Sequence, residues 1–141
     1  MDAGRGDEMP DATTIVLADL PGRPCPVAAS LELVGERWAL LVVRELWLGA
    51  HRFTQIVRGT GAPRDRIAAR LRALEAAGVV ERRPVGAAGR HEYHLTAAGM
   101  DLAPVLEALL AWGRAHAVRA DDPDLAASER LHAALVGAAR D

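Results

Sequence analysis

Apolar residues recur along this chain at three- and four-residue steps, interrupted by Gly and Pro, and that rhythm predicts a series of short helices. From Pro26, the set Val27, Leu31 and Val34 has helical spacing; Pro26 suits a first helical position, and Gly35 closes the helix. Trp38, Leu41, Val42, Glu45 and Leu46 begin a second helix that ends near Gly49. His51-Arg52-Phe53 is short and extended, after which Phe53, Ile56 and Val57 give a brief third helix stopped by Gly59-Thr60-Gly61. Pro63 opens a fourth, where Ile67, Leu71 and Leu74 form one buried stripe and Gly78 is the stop.

The period then changes. Residues 79–85 and 90–95 alternate as strands around a loop at 86–89, Gly-Ala-Ala-Gly, which predicts a β-hairpin with a small flexible tip. Thr96 is suited to cap a long helix reaching about Arg119. Its row Leu102, Val105, Leu109, Trp112 and His116 steps by threes and fours, and such a row packs on its own domain or on a second copy. Asp121-Asp122-Pro123 breaks that helix, and 125–139 is a final amphipathic one. The expected fold class is mainly α with a small β-hairpin. Its parts are an acidic N-terminal arm (1–24), a domain of helices and hairpin (25–95), a long helix (96–120) and a C-terminal helical extension (121–141).

Charge sharpens the picture. The formal net charge is −2, yet residues 37–91 hold eleven Arg against four acids, a surplus of +7 between flanks of −5 and −4. A basic middle between acidic ends suits a protein that turns one face to a polyanion. Residues 64–72 carry four of those Arg on one helical segment. Winding away from the apolar stripe places Asp65, Arg66, Ala69, Arg72 and Ala73 on the opposite side, with Arg70 on the flank and Arg64 at the N-terminal tip. Arg at a helix N-terminus opposes the macrodipole. It is easier to understand if a phosphate or base edge receives it. Three helices followed by a two-stranded hairpin make a winged helix-turn-helix, which places one helix in a major groove beside a β-tip. The groove-facing set is then Arg64, Asp65, Arg66, Ala69 and Arg70. At the hairpin Arg83, Arg90 and His91 reach DNA, and Arg52 either holds phosphate or is a solvated neighbour of Phe53.

Composition excludes much else. The chain has no lysine, which removes P-loop and Schiff-base chemistry. One cysteine, Cys25, leaves no internal disulfide and no Cys-rich metal site. His91 and His94 point to opposite faces of a strand, so the five histidines suggest no metal centre. Ser30 and Ser128 lack the context of a nucleophile elbow, so no enzymatic activity and no cofactor are expected. No apolar run is long enough to span a bilayer, and the acidic N-terminus is unlike a signal peptide, so the expectation is a cytoplasmic protein without membrane partners.

The joint spacing of several segments resembles the HxlR-type winged-helix transcription regulators, relatives of the MarR group. The segments are Cys25-Pro26-Val27, Gly35-Glu36-Arg37-Trp38, Arg44-Glu45-Leu46, Arg52-Phe53, the run from Arg70 to Val80, Tyr93-His94-Leu95-Thr96 with Gly99, and Trp112. The resemblance covers about Cys25 to His116. It implies a homodimeric bacterial DNA-binding regulator with terminal helices used for dimerisation. In that group Gly-Lys-Trp usually stands where this chain has Glu36-Arg37-Trp38, and a Ser caps the recognition helix where Pro63 stands. In some members a cysteine at the place of Cys25 senses oxidants. The positive end of the helix beginning at Pro26 and the nearby Arg23 both favour a thiolate there. The alternative is a small buried residue at a dimer seam. Trp38, Trp47, Leu106 and Trp112 are candidates to line a pocket for an apolar effector, or are simply core. The competing function is a winged-helix protein–protein interaction module without DNA binding, which the salt dependence of binding would distinguish.

Overall fold

The computed structural model describes residues 14–87 and 89–140, the last helix from His132 onward mostly as a backbone path. Residues 1–13 of the expected acidic arm lie outside the described residues. The remainder of that arm holds a single 3-10 turn, Leu17–Asp19. The order is then α1 (Pro26–Val34), α2 (Ala39–Trp47), α3 (Phe53–Thr60), α4 (Arg64–Ala76), β1 (Val80–Pro84), β2 (His91–Leu95), α5 (Ala97–Met100), α6 (Ala103–His116) and α7 (Leu125–Arg140).

Helix α2 lies at the centre. Its Ala39, Val42, Val43 and Leu46 are buried, and around them close Ile56 of α3, Ile67, Leu71 and Leu74 of α4, Val79 and Val80 at the root of the hairpin, and Leu106 of α6. The step from α3 to α4 is a tight corner. Gly61 takes the left-handed conformation at φ 74° that ends α3, a geometry only glycine adopts without strain. The Thr60 hydroxyl donates to the Ile56 carbonyl at 2.9 Å and accepts the Ala62 N–H at 3.2 Å. On the other side of α3, the Arg44 guanidinium bonds both the Glu45 carboxylate and the Gly59 carbonyl at 2.9 Å. A Cβ on Gly59 would stand 1.9 Å from Glu45 Oε1, so a side chain there would require the Glu45 carboxylate to move.

The hairpin is antiparallel, pairing Val80 with Leu95, Glu81 with His94, Arg82 with Tyr93, Arg83 with Glu92 and Pro84 with His91. Side chains alternate across a strand, so Glu81, Arg83, Glu92 and His94 share one face. The extended stretch at His51 joins the sheet: its carbonyl accepts the Tyr93 N–H at 2.8 Å, and its ring Nδ1 donates to the Tyr93 carbonyl at 2.9 Å. Three helices, a connecting extended residue and a two-stranded wing complete a winged helix-turn-helix.

One expected element is corrected. Thr96 does cap a helix, its hydroxyl accepting the Gly99 N–H at 3.1 Å, but no single helix runs from there to Arg119. The chain turns at Asp101-Leu102 and restarts as α6, which ends at His116. The cause is Pro104. It has no N–H to give the Met100 carbonyl one turn back, and its ring clashes with that carbonyl in a continuous helix. At the start of α6 the same residue is well placed. Helix α5 meanwhile presses on the hairpin root, where a Cβ on Gly99 would stand 2.2 Å from the Val79 carbonyl oxygen.

Candidate nucleic-acid interface

Helix α4 is divided lengthwise. Ile67, Leu71 and Leu74 are buried, whereas Arg64, Asp65, Arg66, Arg72 and Ala73 are exposed. Pro63 precedes the helix in extended conformation and supplies no side-chain cap. The Arg66 N–H instead donates to the Pro63 carbonyl at 3.0 Å. Arg64 lies over the Phe53 ring, 4.9 Å from its centroid, so α3 steadies its guanidinium at the helix tip. Arg66 and Arg72 have no ion-pair partner among the described residues. Ala69 is half-buried at the edge of the outward face.

Arg70 behaves differently from the expected groove-facing set. It is half-buried, and its Nε lies 3.4 Å from Glu36 Oε1. Glu36 is itself held by the Trp38 N–H at 2.9 Å. This pair ties α4 to the turn between α1 and α2, and it places at Glu36 a residue that the sequence reading passed over. The only available signal was the glutamate standing where similar sequences carry glycine. Arg37 has its guanidinium 4.3 Å over the Trp38 ring.

The wing brings Arg90 and His91 to exposed positions beside a tip formed by Gly86 and Gly89, both at positive φ. Arg83 is ion-paired with Glu81 on the strand. At the wing root the His51 and His94 rings stack with centroids 4.0 Å apart, and His94 Nε2 hydrogen-bonds Glu92 at 3.0 Å. That hydrogen bond, aided by the charges of His94, His51 and Arg52, holds the Glu92 carboxyl below the usual carboxylate value despite opposing desolvation. Arg52 is exposed at the start of α3, and the Gln55 side-chain oxygen accepts its backbone N–H at 3.1 Å.

Cys25 is half-buried and precedes α1, with a free thiol. The four residues expected around an effector pocket do not enclose one. Trp47 borders a hollow with His51 and His94, and Leu106 borders another with Leu40 and Leu41. Trp112 stands 61% exposed on α6, and Trp38 packs against the core beneath Arg37. Leu106 and Trp112 stand six residues apart on α6, about 120° around the helix, so one is buried and the other faces outward. Among the described residues no His, Cys, Asp or Glu cluster is placed to hold a metal, and no helix is long and apolar enough to cross a membrane.

Residues 33–121 match the HxlR-like helix-turn-helix family. A HTH-type transcriptional regulator of Mycobacterium tuberculosis, itself uncharacterised, is 43% identical over 100 residues, covering 70% of this chain. The matched stretch spans 63% of that relative's own length. The crystal structure of PA1607, assigned as a transcription factor, is similar with a TM-score of 0.66 and 36% identity, covering 70% of this chain and 69% of that one. The redox regulator HypR in its reduced form is similar with a TM-score of 0.60 and 28% identity, covering 64% of this chain and 92% of its own. With its Arg-faced fourth helix and its wing, this chain belongs to the HxlR-like helix-turn-helix family.

Proposed function

We propose that this chain binds duplex DNA as a homodimer on a pseudo-palindromic operator, with α4 in the major groove and the wing tip against the neighbouring backbone. The observation that carries this reading is the lengthwise division of α4: a buried apolar stripe behind, and in front Arg64, Arg66 and Arg72, exposed and without an ion-pair partner among the described residues. Arg side chains so placed contact phosphate for position or guanine edges for sequence. Arg52, Arg90 and His91 extend the contact along the backbone, and Arg70, held by Glu36, orients the helix. Selection of bound fragments from the source genome tests this. The expected outcome is enrichment of two half-sites about one helical turn apart; no enrichment over input DNA contradicts it.

The dimer reading rests on the outer row of α6. Val105, Leu109 and Trp112 are 40%, 50% and 61% exposed, an apolar strip that water disfavours unless something covers it. A second α6 related by two-fold symmetry is the proposed cover, and on α1 Val27 and Leu31 are exposed as well. The proposed division is then DNA reading by 25–95 and pairing by 96–120, with 1–24 and 121–141 as flanks. Trp112→Asp is expected to give monomers in sedimentation while circular dichroism is unchanged. A variant as dimeric as the parent, or a monomeric parent, contradicts the pairing.

We further propose control through Cys25. HypR, which the fold resembles, is a redox regulator. One cysteine per chain allows an adduct or a disulfide between copies. Diamide is expected to alter DNA affinity in the parent and not in Cys25→Ser; equal behaviour of the two contradicts this.

A further inference from the structure

At the root of the wing lies a hollow of about 270 Å³ that the DNA reading does not use, lined by Leu46, Trp47, His51, Arg83, His94 and Met100 among others. We propose that it is a binding site for a small organic carboxylate with a flat apolar body. The first observation is an orphaned donor. The Trp47 indole Nε1–H is enclosed and has no acceptor, and it is the one buried side-chain polar atom so placed among the described residues. Enclosing a donor without a partner is unfavourable, and an incoming acceptor relieves it.

The second observation is a cation on the same hollow. Arg83 places its Nε and one terminal nitrogen on Glu81, and the other terminal nitrogen is unengaged among the described residues. A guanidinium offers five N–H groups, and a carboxylate takes two of them side by side. The stacked rings of His51 and His94 supply a flat wall. Neither imidazole is the anion's donor, since one ring N–H is on the Tyr93 carbonyl and the other on Glu92. Leu46 supplies apolar surface, and Met100, half-exposed and flexible, is the wall that shifts to admit the ligand onto the indole N–H. The volume falls below the roughly 300–1,000 Å³ of drug-sized sites, which fits a molecule of the size of benzoate. Glu81 is the internal competitor for Arg83, so ligand and Glu81 exchange on that guanidinium. Occupancy also adds a negative charge at the root of the wing and so competes with DNA phosphate there, a consequence that rests on the DNA reading, whereas binding itself does not.

The test is a titration of the full chain, without DNA, with benzoate and with neutral benzamide, following the three Trp indole N–H resonances by NMR. Benzoate is expected to move the Trp47 resonance selectively and saturably, and benzamide to bind about tenfold more weakly or worse. Trp47→Phe, which keeps an aromatic ring but removes the donor, and Arg83→Gln should each weaken benzoate about tenfold, and Glu81→Gln should tighten it several-fold. An unmoved Trp47 resonance, equal shifts at all three indoles, or equal response to the two compounds overturns the site. A separate DNA titration with and without benzoate reads the competition. Loss of DNA binding in the absence of benzoate would overturn the DNA reading alone and leave the NMR result standing.

Discussion

Leu71→Ala is expected to lower the unfolding free energy by about 2–5 kcal/mol, a large part of the ~5–15 kcal/mol that holds a domain of this size together. Leu71 is 2% exposed and lies between Ile67 and Leu74 on the stripe by which α4 packs on α2. Truncation removes apolar contacts and leaves a space that rigid neighbours, Val42, Val43 and Ile56 among them, cannot fill. Urea unfolding measures the effect as a lower midpoint at unchanged slope. A loss below about 1 kcal/mol would mean that α4 is not packed as described, because a solvated helix face tolerates the change.

Arg66→Ala is expected to do the reverse, leaving stability within about 0.5 kcal/mol and weakening DNA binding by about 1–3 kcal/mol per half-site. Two-fold symmetry applies the loss twice in a dimer, so the affinity for a complete operator falls by about 30-fold to 10,000-fold. Arg66 is exposed on the first turn of α4 and has no carboxylate partner among the described residues, so its removal costs the fold little. Arg70→Ala makes a useful comparison. Its pairing with Glu36 predicts a change in the seating of α4 as well as in DNA affinity. If Arg66→Ala bound DNA as tightly as the parent, α4 would not be the recognition element.

The helices and wing were legible because their signals are local. The stripe Ile67, Leu71, Leu74 states which side of α4 is buried, and the same count places Arg66 and Arg72 outside. The Gly-rich tip and the change to a two-residue period marked the hairpin, and Thr96 marked a cap that forms. Apolar spacing continues across 101–103 and so suggests one long helix, but Pro104, an equally local signal, divides it. What depends on distant residues could not be read. Glu36 and Arg70 meet only when the α1–α2 turn folds against α4. His51 and His94 stack only because the extended residue after α2 joins the wing. The four residues expected around an effector pocket are dispersed for the same reason: Trp38, Trp47, Leu106 and Trp112 are apolar in sequence, but their directions are set by tertiary packing.

The most direct test of the central claim is the affinity of the full chain for a genome-selected DNA fragment, measured over a range of salt concentrations. If Arg64, Arg66 and Arg72 and the wing residues of two copies meet phosphates, log K falls steeply and linearly with log salt, by about 0.9 for each phosphate neutralised, and Arg66→Ala gives weaker binding throughout. An affinity indifferent to salt, or no measurable binding even at low salt, would contradict the account and leave a winged-helix module whose partner is a protein.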